Sequence, residues 1–200
     1  GLDPSFNVAE ENDMQEFLEA NITAFIKKAI AENDIGMEEL IRNYGIKGVK
    51  EQLLSIYGIA DEVLKLENPA EPYKKSADCA PELQAELTAL VDELIAGMDS
   101  VVKKTTKQYP KLQNLKENRH LVIEAIQKYE TEESRAVLNQ YIGVLTMQAK
   151  DKAVVAEARE ALKKLYQAAI DARAAELVTV WHNVLRSCRN FVLASRKNLI

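Results

Sequence analysis

A chain of 200 residues, 47% apolar and 28% charged, has the make-up of a soluble globular protein of one domain, or of one domain with an appendage, and falls outside the disordered class. Gly and Pro are scarce, at 7 and 5, beside abundant Ala, Leu, Glu and Lys, which favours helix over sheet. The net charge of −5 argues against nucleic acid as the main partner, and two cysteines, Cys79 and Cys188, are too few for a disulfide framework or a four-thiolate zinc site.

In chain order, residues 1–8 read as a loose leader or a recombinant remnant. No signal peptide is visible and no apolar run approaches the ~18 residues of a membrane span, so a cytoplasmic location is slightly favoured. From about Ala9 to Glu32, Met14, Phe17, Leu18, Ile22, Phe25, Ile26, Ala29 and Ile30 fall at three- and four-residue spacings along one face and predict a helix, stopped by Asn33, Asp34 and Gly36. Residues 38–46 (EELIRNYGI) and 51–59 (EQLLSIYGI) repeat Tyr-Gly-Ile. A glycine just past a helix end adopts the left-handed conformation and the apolar residue after it folds back on the last turn, so Gly45 with Ile46 and Gly58 with Ile59 predict two matching helix stops. Residues 60–67 continue helically to Asn68-Pro69.

Residues 68–81 (NPAEPYKKSADCAP) hold three of the five prolines and predict a connector between a helical N-terminal part, 9–67, and a helical bundle, 82–200. Pro81 suits the first turn of a helix reaching about Lys107, with Leu87, Val91, Leu94 and Val102 on its stripe. A helix over 112–129 follows; Thr131 then predicts an N-cap for a helix carrying Leu138, Tyr141, Leu145 and Met147. From Asp151 onward no Pro or Gly interrupts the chain, and Val155, Ala158, Leu162, Leu165, Leu177, Trp181, Val184 and Cys188 predict one very long helix. Its alanines, Ala153, Ala156, Ala158, Ala161 and Ala168 among them, predict close backbone approach. The expected fold is therefore all-α: an antiparallel, up-down bundle of about four long helices preceded by a group of shorter ones.

Catalytic and metal-binding patterns are weak. Glu117-x-x-His120 puts a carboxylate and an imidazole one turn apart, but the only other histidine, His182, has Thr179 three residues before it, and a di-iron site needs the pair twice. Cys188 and His182 lie on different faces of one helix, and no phosphate loop or nucleophile elbow is present. No catalytic residue, cofactor or metal is expected. After Glu176 there is no acidic residue, while Arg186, Arg189, Arg196 and Lys197 add four positive charges, so residues 1–176 carry −9. These four with Trp181 form the candidate interaction face. A second acid-free stretch, Ser100–Lys116, carries Lys103, Lys104, Lys107, Lys111 and Lys116 and reads first as a solvated bundle end and second as a docking patch for an anionic partner.

The expected function is non-enzymatic protein–protein interaction or assembly through helix faces, with a protein partner or a second copy. Peripheral membrane contact through the basic C-terminal helix is less favoured. Two alternatives are a sensor bundle with a small-molecule pocket and a DNA-associated regulator using residues 38–67. In the second, the charges of Glu38, Glu39, Arg42, Lys47, Lys50 and Glu51 cancel, which weakens phosphate contact.

Overall fold

The computed structural model describes residues 4–99, 109–145 and 152–197; among them every regular element is helical and no strand occurs. In chain order these are α1 (Pro4–Ala31), α2 (Ile35–Tyr57), α3 (Ala60–Val63), α4 (Glu71–Ala77), α5 (Ala80–Asp99), α6 (Tyr109–Glu117), α7 (Arg119–Gln127), α8 (Glu132–Leu138), a π-turn (Asn139–Gly143) and α9 (Lys152–Lys197). The chain divides into two compact units, Gly1–Ala70 with Ala175–Ile200, and Glu71–Ala174.

In the first unit, α1 begins at Pro4, inside the stretch expected to be a leader. Proline at a first helical position lacks only an N–H that would have no helical partner. The end of α1 follows from Asn33, which adopts φ 53°. The Asp34 N–H reaches back to Ala29 O at 3.0 Å and the Asn33 N–H to Ile30 O at 3.1 Å, so two carbonyls at the helix end are satisfied. Asp34 then caps α2, its Oδ1 accepting from the Met37 N–H at 2.7 Å, an arrangement worth about 1 kcal/mol. Gly36 lies inside α2 and is not part of the stop.

The two Tyr-Gly-Ile stretches are not alike. Gly45, at φ 70° and ψ 161°, kinks α2 in a region essentially reserved for glycine. Gly58, at φ −60° and ψ −27°, is right-handed helical and is followed by α3. The expectation of two matching left-handed stops is therefore corrected. Ile46 and Ile59 also stay 55% and 52% exposed, so neither supplies a buried clasp. The unit's core joins Ile22 and Ile26 of α1, Met37, Leu40, Val49 and Leu53 of α2, and Val184, Leu185, Cys188 and Val192 of α9. Residues 82–200 were expected to share one bundle. The stripe on the end of α9 is buried instead against α1 and α2, because periodicity marks which face is apolar and not which partner covers it.

In the second unit, the expected connector contains α4, with Pro72 as its second residue, where a missing N–H is harmless. The expected reach of α5 to Lys107 passes outside the described residues. Where one helix over 112–129 was expected, α6 and α7 meet at Asn118, which has φ −108° and ψ 20°. Its side chain donates to Asn114 O at 2.9 Å, a local bond that competes with helix continuation. Thr131 caps α8 as predicted, Oγ1 accepting from the Ser134 N–H at 3.2 Å. After Leu138 the backbone widens into the π-turn, which carries the buried Tyr141 and Ile142; Met147 lies outside the described residues. Leu87, Val91, Leu115, Val122, Leu138 and Leu165 sit in one core, and Ala158, Ala161 and Ala168 of α9 are buried in it. Ala153 and Ala156 are exposed.

Candidate functional site

The residues predicted to form a basic face are held in different ways by the first unit. Trp181 is half-buried, its ring 5.6 Å from that of Tyr44 and tilted by 54°. Arg189 forms an ion pair with Asp61 of α3. The Arg196 guanidinium lies 5.8 Å from the centre of the Phe17 ring of α1, a cation–π arrangement. Arg186 is exposed, with Nη2 3.5 Å from His182 Nδ1, and Lys197 is exposed at the end of α9. Two of the four charges thus fasten α9 to α3 and α1, and two face solvent. Tyr57 lies near Cys188, Arg189 and Arg196; burial raises its hydroxyl above the ordinary tyrosine range.

Two polar groups sit deep in this unit. Cys188 is fully buried, and desolvation pushes its thiol up to about 12. It behaves as a small apolar side chain and not as a nucleophile. His182 is 8% exposed and its Nε2 has no hydrogen-bond partner, an unusual state for a buried donor.

A cleft of about 290 Å³ opens in this unit between α1, the start of α2 and α9. Phe25, Val180 and Val184 give it apolar walls, and Asn183 and Ser187 of α9 add small polar groups. The carboxylates of Asp34 and Glu39 line it from α2 and its cap. Ile35 also lines it and is 81% exposed, the most of any large apolar side chain among the described residues. Gly36 lies within the cleft, and a Cβ there would stand 3.4 Å from Val180 Cγ1 and 3.5 Å from Val184 Cγ2.

The second unit uses its polar groups on itself. Arg119 forks onto Asp92 at 2.6 and 2.8 Å, and that hydrogen bond holds the Asp92 carboxyl below the usual carboxylate range. Arg159 donates to Gly143 O at 2.6 Å and Lys111 to Val144 O at 2.8 Å, so two cations satisfy carbonyls where the π-turn ends. Tyr166 donates to Arg135 O at 3.2 Å. His120 is exposed, as its position at the start of α7 predicts. Lys103, Lys104 and Lys107 lie outside the described residues. Among those described, no three His, Cys, Asp or Glu side chains gather, and no helix is long and apolar enough to cross a membrane.

Comparison with protein-family models, with curated proteins and with solved structures finds no match to this chain. The cleft escaped sequence reading because its walls come from residues 25–39 and 180–187, which carry no motif. Gly36 was the one visible signal: a glycine in a helical stretch that needs no special φ.

Proposed function

We propose that the protein acts without catalysis, as an interaction or assembly protein that docks a protein partner on the first unit. Ile35 carries this reading, because it is 81% exposed on the lip of a cleft and shares the unit with other exposed large apolar side chains, a setting that favours a docking surface. Ile30, Tyr44 and Ile46 are further large apolar side chains exposed along the α1–α2 stretch. Arg186 and Lys197 are exposed on α9, and as surface charges of the same unit they would tune association rate and salt dependence. A DNA-reading role for residues 38–67 is less well supported, because Lys50 pairs with Glu19 at 2.6 Å and Lys47 with Glu51 at 3.7 Å. We read the helices after residue 81 as an up-down arrangement, supported by the packing of α5 on α6 and α7 and of α7 on α8.

The test compares wild type with Ile35→Glu, first by sedimentation across a concentration series and then by capture from host lysate. An assembly or a defined partner that wild type holds and the variant loses supports the reading. A monomer with no variant-sensitive partner ends it.

A further inference from the structure

We propose that Met14 is a reversible oxidation site: a peroxide converts its thioether to the sulfoxide, and Arg196 holds the new oxygen, tightening α1 onto the end of α9. Three observations meet here. Met14 is 50% exposed, so its sulfur is open to a small oxidant and to the enzyme that reverses the reaction. Among the described side chains the other methionine, Met37, is 0% exposed in the core of the unit. The Arg196 guanidinium, held over the ring of Phe17 one turn along α1, brings Nη2 to 2.8 Å from Met14 Sδ.

A charged donor is thus spent on a thioether, which is a weak acceptor. Oxidation changes the acceptor and leaves the donor in place. The sulfur lone pair attacks one oxygen of hydrogen peroxide and the O–O bond breaks. The departing hydroxide takes the proton from the transferred oxygen and leaves as water; sulfur loses two electrons and the peroxide gains them. The sulfoxide oxygen carries partial negative charge, so the guanidinium N–H beside it makes a charge-assisted hydrogen bond. In a core, the same oxidation sets a polar group among apolar neighbours and loosens the packing. At Met14 the new dipole meets solvent and a cation, so the contact strengthens. Arg196 already fastens α9 to α1 through Phe17, and the sulfoxide gives the same side chain a second hold. Enzymatic reduction restores the thioether and the weaker contact.

The experiment treats the full chain with dilute hydrogen peroxide, maps the added oxygen by peptide mass spectrometry and follows amide exchange before and after. Met14 should be oxidised well ahead of Met37. Amides of residues 14–20 and 192–197 should then exchange about three- to tenfold more slowly, the scale of one charge-assisted hydrogen bond at a half-exposed site. The Arg196 side-chain N–H resonance should shift at the same time, and methionine sulfoxide reductase should reverse both changes. In Met14→Leu, which keeps the apolar bulk and the other three methionines, peroxide should leave these amides unchanged. In Arg196→Ala, Met14 should still be oxidised but exchange should not slow. Oxidation of Met14 no faster than of Met37, faster or unchanged exchange in the oxidised wild type, or slowing that persists in either variant overturns the proposal.

Discussion

Among the described residues, the two units differ in how they dispose of their polar and apolar groups. In the second, Arg159 and Lys111 satisfy the carbonyls at the end of the π-turn, Arg119 grips Asp92, and Arg135 lies over the Tyr166 ring. Among its described residues the exposed large apolar side chains are Tyr73, Leu121, Val144 and Ile170. The first unit exposes Met14, Ile30, Ile35, Tyr44, Ile46, Ile59, Leu66 and Leu193, keeps a buried histidine nitrogen without a partner, and opens a cleft between its helices. Single exposed hydrophobes are ordinary; their concentration in one unit beside a cleft is informative. The difference teaches that, among the described residues, one helical fold can leave more apolar surface exposed in one unit than in the other.

The contrast can be broken most sharply at the thiols, one in each unit. Cys79 is exposed, whereas Cys188 is buried with its thiol pushed up to about 12. Three pH units above an ordinary thiol leave about a thousandfold less thiolate, so a thiol reagent at pH 8 should modify Cys79 at once and Cys188 only through opening of the first unit. Rapid modification of both would show that the α9 packing in that unit opens readily.

Core truncations come next. Leu40→Ala in the first unit and Leu165→Ala in the second each remove a fully buried side chain and should each cost about 2–5 kcal/mol in denaturant titrations. Amide exchange should report the loss mainly in α1 and α2 for Leu40→Ala and in α5 to α8 for Leu165→Ala. Equal loss everywhere for both would erase the division into units.

Smaller effects are expected at the paired glycines. Gly45→Ala should cost about 1–3 kcal/mol, because φ 70° with ψ 161° strains any side chain even though no atom lies within 4 Å of the new Cβ. Gly58→Ala has equal room and a helical backbone, so it should be neutral or stabilise by about 0.4–1 kcal/mol. Equal melting shifts would return the two stretches to the matched pair that their sequence suggests.

Least of all should change at Asp92→Asn. The folded carboxyl is held below its unfolded-state value by Arg119, so its contribution is present above that unfolded value, near pH 4, and is lost as pH falls through the folded one. Wild type should therefore be slightly the more stable at pH 7, and the two should converge in acid. Both partners are about half exposed, which keeps the effect near the limit of detection.

Apolar periodicity revealed α1, α5 and α9, and side-chain chemistry revealed the stop at Asn33-Asp34 and the cap at Thr131, because these features depend on residues close in sequence. What failed depended on competition or on distant partners. Asn118 breaks a helix through its own side chain, with no glycine or proline to announce it. The prolines at 69 and 72 suggested a connector, yet α4 tolerates Pro72 in its first turn. Gly45 and Gly58 share their neighbours in sequence but not their backbone, φ 70° at one and φ −60° at the other. The basic face was legible as charge, while the use of Arg189 and Arg196 to fasten α9 was not, since Asp61 and Phe17 lie far away in the chain.

The central claim is that partner docking belongs to the first unit. Chemical crosslinking in host lysate with wild type, Ile35→Glu and Leu121→Glu tests it directly, because the two substitutions place the same charge on an exposed apolar site in each unit. A crosslinked partner or second copy that disappears with Ile35→Glu and persists with Leu121→Glu is the predicted result. Loss with Leu121→Glu and retention with Ile35→Glu would contradict the account.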